Sequence, residues 1–222
     1  MAEQMPFGDV ELARSSEPRC ACMLLLDVSG SMAGQAMVQL NAGLETYHSE
    51  LLGDRLASQR VEVSIITFGG TVQTVVPFVR ADHFMIPPIA AEGETPMGQA
   101  ILQGIESVAE RKRQYRKFGL PIFRPWIILI TDGAPTDDWK VAAAKVYEGE
   151  AAKSFAFFAI GVDDADFSIL KQISKREPLR LKGHSFREFF LWLSESQKQV
   201  SRSKPGQEDQ VGLPNPSGWT HL

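Results

Sequence analysis

A chain of 222 residues, 44% hydrophobic and 23% charged, is long enough to bury one sizeable core and short for two. Its net charge of -4 leaves no excess of Lys and Arg to neutralise phosphates, which sets general nucleic-acid binding aside. Cys20 and Cys22 are the only cysteines, too few for a disulfide framework, and no stretch approaches the roughly 20 apolar residues of a membrane span.

Residues 1–18 are polar, broken by Pro6, Gly8 and Pro18, and read as a flexible lead-in. They lack an apolar stretch of signal-peptide length, so a cytoplasmic protein of bacterial type is expected. Cys20 to Leu26 reads as a buried strand, and Asp27-Val28-Ser29-Gly30-Ser31 follows it directly. Gln35 to about Ala57 reads as one helix, with Met37, Leu40, Leu44, Tyr47 and Leu51 recurring at three and four. Val61 to Phe68 is a strand, Gly69-Gly70 a tight turn, and Thr71 to Val76 the returning strand of a hairpin.

Pro77 to Pro88 looks irregular. A helix starts at Pro96, just after Thr95, and runs to about Arg113. Trp126 to Ile130 is a strand apolar on both faces, as in a sheet covered by helices on both sides. A helix from about Asp138 to Lys153, a strand from Phe155 to Ile160, a short helix from Phe167 to Lys175 and a short strand from Leu179 to Leu181 follow. Phe186 to Gln199 closes the domain as an amphipathic helix, with Phe186, Phe189, Phe190 and Trp192 on its buried face. From Ser201 the chain turns polar and rich in Gly and Pro, so residues 201–222 are expected to be disordered and residues 19–200 to form the domain. The alternation predicts an α/β fold: a Rossmann-like, doubly wound, mostly parallel sheet of six strands with one antiparallel edge strand and helices on both faces.

Three segments carry oxygen ligands to strand ends. They are Asp27-x-Ser29-x-Ser31, Gly93-Glu94-Thr95-Pro96 and Thr131-Asp132-Gly133. Ligands of an open parallel sheet bind beyond the carboxyl ends of the strands, where the strand order reverses. If the strands bearing Asp27 and Asp132 are neighbours there, both carboxylates share a crevice and Thr95 arrives from the adjoining loop. Carboxylates and hydroxyls are hard ligands suited to Mg²⁺, with Mn²⁺ and Ca²⁺ as the other ions such a set accepts. In the competing reading Ser29 and Ser31 merely cap the helix and Asp27 a turn.

In these segments the chain resembles a von Willebrand factor A (VWA) domain, over roughly residues 20–200, and the three segments match that family's metal-ion-dependent adhesion site, or MIDAS. The resemblance implies that Ser29 and Ser31 bind the metal through their hydroxyls. It implies that Thr95 binds directly or through water, and that Asp27 and Asp132 complete the shell, at least one of them through water. It further implies a protein partner that supplies an acidic residue to the metal. Thr131 to Trp139, and Ile65 to Phe68 leading to Pro77, are similar to the tellurium-resistance, TerY-like branch. Those proteins are small, cytosolic and bacterial, and act in stress responses beside kinase and phosphatase proteins. The chain has no Cys or His cluster after the core for the extra metal module some of them carry.

Asp137 and Asp138 read as cap and dipole partner of the helix that follows them, rather than as a rim of the site. Asp163, Asp164 and Asp166 read as a helix-starting loop rather than a second cation site. The basic run Arg111-Lys112-Arg113 with Arg116 and Lys117 reads as a solvated helix end, with an acidic partner or RNA as the alternative. Cys20 and Cys22 share a strand face and read as core residues, while His48, His83, His184 and His221 have no metal or triad spacing. There is no Gly-x-Ser-x-Gly elbow, Walker loop or His-Glu-x-x-His, so an interaction module rather than an enzyme is expected. The rival readings are a metal-dependent phosphoester hydrolase and an accessory subunit of an AAA+ ATPase assembly.

Overall fold

The structure is a computed structural model that describes residues 11–221, so the first ten residues of the expected lead-in lie outside the described residues. Strand β1 (Cys20–Asp27) is followed by a single 3₁₀ turn at Gly30–Met32, helix α1 (Gln35–Leu52) and helix α2 (Arg55–Arg60). The hairpin β2 (Val61–Gly69) and β3 (Thr71–Arg80) leads to helix α3 (Met97–Lys117). Then come β4 (Trp126–Thr131), α4 (Lys140–Ala151), β5 (Ala156–Gly161), α5 (Phe167–Ile173), β6 (Leu179–Leu181), α6 (Phe186–Arg202) and β7 (Thr220–His221).

One sheet holds all seven strands in the order β3-β2-β1-β4-β5-β6-β7. The five inner strands run parallel and β3 is the antiparallel edge, which is the expected six-stranded mixed sheet. The two-residue β7 adds an antiparallel seventh strand beside β6. Alternate side chains of the central strands enter opposite layers. Leu24, Leu26, Ile128 and Ile130 pack with α1 and α6, and Met23, Leu25, Ile127 and Leu129 pack with α3, α4 and α5. Cys20 and Cys22 lie fully buried in the first layer, where burial pushes both thiols well up. No helix among the described residues is long and apolar enough to cross a membrane.

The structure departs from the sequence reading in several places. The first predicted helix breaks at Gly53, because Asp54 accepts hydrogen bonds from the Leu56 and Ala57 N–H groups and starts α2. Strand β3 continues through Pro77 to Arg80. An irregularity in the pairing between Val63 and Ile65 lies beside this proline, and an edge strand tolerates the missing donor. Residues 11–18 are held rather than loose: Leu12 is buried and Glu11 pairs with Arg80 at 3.0 Å.

The stretch after Ser201 is likewise ordered. It crosses the base of the domain and ends with Trp219 buried against Phe189 and Trp192, at ring-centroid distances of 4.9 and 5.3 Å. Composition predicts disorder there, but Trp219 in a preformed aromatic cluster, the pairing of β7 with β6 and the ion pairs of Asp209 with Arg124 and Lys153 together anchor this polar segment.

Candidate metal centre

The strand order reverses between β1 and β4, which lie side by side with Leu26 opposite Ile130. Asp27 and Thr131 therefore end adjacent strands at the switch point, and the sequence condition for a shared crevice is met. Asp27 is fully buried. Its Oδ1 accepts the Ser29 N–H at 2.8 Å, and its Oδ2 accepts the Thr131 hydroxyl at 2.5 Å. The Ser29 and Ser31 hydroxyl oxygens lie 3.1 Å apart, and the Ser31 hydroxyl donates to Asp132 Oδ1 at 2.8 Å. Two segments about a hundred residues apart in sequence are thus joined by two side-chain hydrogen bonds, Thr131 to Asp27 and Ser31 to Asp132.

Thr95 arrives on the loop between β3 and α3. Its side chain is buried, and its hydroxyl lies 3.8 Å from where a Cβ on Gly133 would be. Backbone bonds hold this loop on both flanks. Gly30 N–H donates to Gly93 at 3.0 Å, Glu92 N–H to Val28 at 2.6 Å, and Thr136 N–H to the Thr95 carbonyl at 2.9 Å. The loop approaches so closely that glycine is required. Gly93 has φ +71, and a Cβ there would meet the Gly70 backbone at 2.5 Å. A Cβ on Gly69 would meet the Val28 carbonyl at the same distance, 2.5 Å.

The five expected site residues, Asp27, Ser29, Ser31, Thr95 and Asp132, are therefore brought to one place. The serines do not serve as helix caps. Ser29 precedes the 3₁₀ turn without a side-chain capping bond, and α1 begins behind Gly34, so the hydroxyls bond each other and Asp132 instead. The donor set is all oxygen, two carboxylates and three hydroxyls, which fits a hard divalent cation of the Mg²⁺ type. Among the described residues no three His, Cys, Asp or Glu side chains form a metal cluster, so hydroxyls supply most of any coordination here.

Electrostatics favour a cation. Burial raises the Asp27 carboxyl above its ordinary range, its bonds from Ser29 and Thr131 partly offset this, and the charge of Asp132 adds to it. Burial likewise raises Asp132, against the bond from Ser31, with Asp163 and Asp164 contributing further negative charge. No ammonium or guanidinium balances either carboxylate in the hydrogen bonds and charges that shift them.

Two supporting residues were not assigned these roles from sequence. Thr131 was visible beside Asp132, yet only the pairing of β1 with β4 shows that it fixes Asp27. Asp137 does not cap the helix that follows it. Its two oxygens accept the Gly98 and Gln99 N–H groups at 2.9 and 2.7 Å, so it caps α3, directly behind Thr95. Asp138 caps α4 through the Lys140 N–H at 3.1 Å. Asp166 caps α5, and Asp163 pairs with His184 at 2.7 Å, so that loop is a helix start as expected.

The family model for the von Willebrand factor type A domain matches residues 22–189. No curated protein sequence matches the chain. Among solved structures, the pilus adhesin SpaC from Lactobacillus rhamnosus GG superposes with a TM-score of 0.68 at 12% identity, over 83% of this chain and 31% of that one. Proximal thread matrix protein 1 from the mussel byssus gives 0.57 at 15% identity, over 82% of this chain and 48% of that one. The ArnB paralog VWA2 from Sulfolobus acidocaldarius gives 0.54 at 18% identity, over 82% and 46%. At such identities the likeness concerns the fold alone, and this chain spans less than half the length of each. With the family model covering the switch-point sheet and all three site segments, the chain belongs to the von Willebrand factor type A domain family.

Proposed function

We propose that this domain is a divalent-cation-dependent protein-interaction module whose metal, Mg²⁺ with Mn²⁺ or Ca²⁺ as substitutes, is held by Asp27, Ser29, Ser31, Thr95 and Asp132. The observation that carries the reading is the released serine pair. Both hydroxyls forgo capping and point with Asp132 into a crevice rich in negative charge. Ser29, Ser31 and Thr95 are neutral ligands. A cation bound mainly through them stays electron-poor and takes a carboxylate from a partner protein as a further ligand. Asp27 has both oxygens engaged by Ser29 and Thr131, so its part is to orient the serine loop and to reach the cation through water.

In this reading the protein is cytoplasmic, is not an enzyme, and serves a tellurium-resistance or related stress response beside kinase and phosphatase proteins. The similarity of Thr131 to Trp139 to the TerY-like branch supports that part. The experiment is a crystal soaked in Mn²⁺, with anomalous density expected between Ser29, Ser31 and Thr95 and a sixth ligand that reveals what docks. An ordered loop without density at millimolar Mn²⁺ would overturn the metal reading. Metal-dependent turnover of a phosphoester would overturn the interaction-module reading in favour of a hydrolase.

A further inference from the structure

At the end of the sheet opposite the metal centre, two grooves of 550 and 300 Å³ share Lys112 and Arg116 as a common wall. Six cations line them: Lys112, Arg113, Arg116, Arg124, Lys145 and Lys153. In a chain of net charge -4 this is a marked local excess. Arg113 is engaged by Glu106 and Glu110, and Lys145 by Glu148. Arg116 has no ion-pair partner among the described residues, and Lys112 donates only to the Ser154 carbonyl, at 2.8 Å. Burial lowers the Lys112 ammonium, and the nearby charge of Arg116 lowers it further.

The rest of the groove is filled by the chain itself. The segment after α6 lays Glu208 and Asp209 into one end. Asp209 pairs with Arg124 at 2.9 Å and with Lys153 at 3.0 Å, while Glu208 accepts the Arg124 backbone N–H at 3.1 Å. Lys153 takes part from a left-handed backbone conformation, φ +52, where the chain turns out of the C-terminus of α4. The strap is thus an internal sample of the ligand chemistry the groove accepts, an acidic segment, and among the described residues it forms no ion pair with Lys112 or Arg116.

We propose that this basal groove is a docking site for an acidic segment of a partner protein, which engages Lys112 and Arg116 and displaces Glu208 and Asp209 from Arg124 and Lys153. The site is independent of the metal centre. Full-length protein in excess EDTA is titrated against a fluorescein-labelled hexaglutamate peptide and followed by fluorescence polarisation. Arg116→Glu, at an exposed position, is expected to weaken binding by about tenfold with unchanged thermal melting. Asp209→Asn is expected to tighten it by about threefold, because the tethered competitor is weakened. Binding insensitive to Arg116→Glu, or not tightened by Asp209→Asn, would overturn the proposal. So would inorganic phosphate or a short single-stranded RNA that binds more tightly than the peptide with the same response to both variants.

Discussion

Asp27 and Glu62 are both fully buried carboxylates on adjacent parallel strands, one at the carboxyl end of β1 and the other near the amino end of β2. Around Glu62 the fold assembles Arg111 at 2.6 Å, the Tyr115 hydroxyl at 2.7 Å and the fully buried Arg19 at 3.3 Å. Around Asp27 it assembles, among the described residues, the Ser29 backbone and side chain and the Thr131 hydroxyl but no cation, and then places a second carboxylate, Asp132, nearby. A buried charge persists only when it is compensated. One end of the sheet therefore carries its own compensation and is structural. The other is short of positive charge, which in the proposed reading a bound cation supplies.

The comparison breaks first at the structural end. Glu62→Gln removes the carboxylate that, among the described residues, faces Arg19 and Arg111, and leaves buried guanidinium charge unpaired. A loss of roughly 3–5 kcal/mol in urea-unfolding free energy is expected. A loss below about 1 kcal/mol would show that the two arginines are compensated elsewhere and that the two ends are not opposites.

The same neutralisation at the other end should act in the opposite sense. In Asp27→Asn the remaining oxygen still accepts the Ser29 N–H, and the amide can donate to the Thr131 hydroxyl. In EDTA the variant is expected to be at least as stable as the parent. The parent should gain about 2.7 kcal/mol in Mn²⁺ at a hundredfold excess over Kd, and the variant should gain little. Thermal melts with and without Mn²⁺ decide this, and an equal Mn²⁺ response in both proteins would remove Asp27 from the site.

The two ends were unequally legible in the sequence. Apolar runs such as Met23 to Leu26 and Ile127 to Ile130 announce buried strands, and strand-end oxygens on three segments announce the crevice. These features are local, or follow from parallel-sheet topology. Nothing in the sequence marks Glu62, because its arginines come from before β1 and from the far half of α3. The strap failed for a related reason. Its composition is that of a solvated tail, and only the cluster of Trp192 and Phe189 makes Trp219 an anchor. Of Asp137 and Asp138 only Asp138 serves the helix that follows them, and the role of Asp137 on α3 is hidden because a cap from another segment leaves no spacing to read.

The charge deficit at the metal end also has a pH signature. Asp27 and Asp132 have raised carboxyl pKa values in the folded state. The folded chain then binds more protons than the unfolded chain above the ordinary value of 3.8. In EDTA, the stability these two groups contribute is therefore present at low pH and is lost as pH rises from that value through the raised folded values. Urea titrations across this window should show the fall in the parent and a shallower one in Asp27→Asn. Mn²⁺ affinity should rise over the same window, since the cation competes with the protons.

The smallest expected effect separates positioning from packing. Asp137 caps α3 immediately behind Thr95, and Asp138 caps α4 away from the hydroxyls. Replacing either by alanine should cost about 1 kcal/mol, the ordinary worth of a cap. Only Asp137→Ala frees the first turn of α3 and with it the backbone that presents Thr95, whose carbonyl also accepts the Thr136 N–H on the same loop as Asp137. Its Mn²⁺ affinity should fall severalfold, while Asp138→Ala keeps the parent value at equal stability. Equal Mn²⁺ affinities in the two variants, measured by isothermal titration calorimetry, would mean that Thr95 takes no part in holding the ion, and the crevice would reduce to the two strand-end segments that carry Asp27 and Asp132.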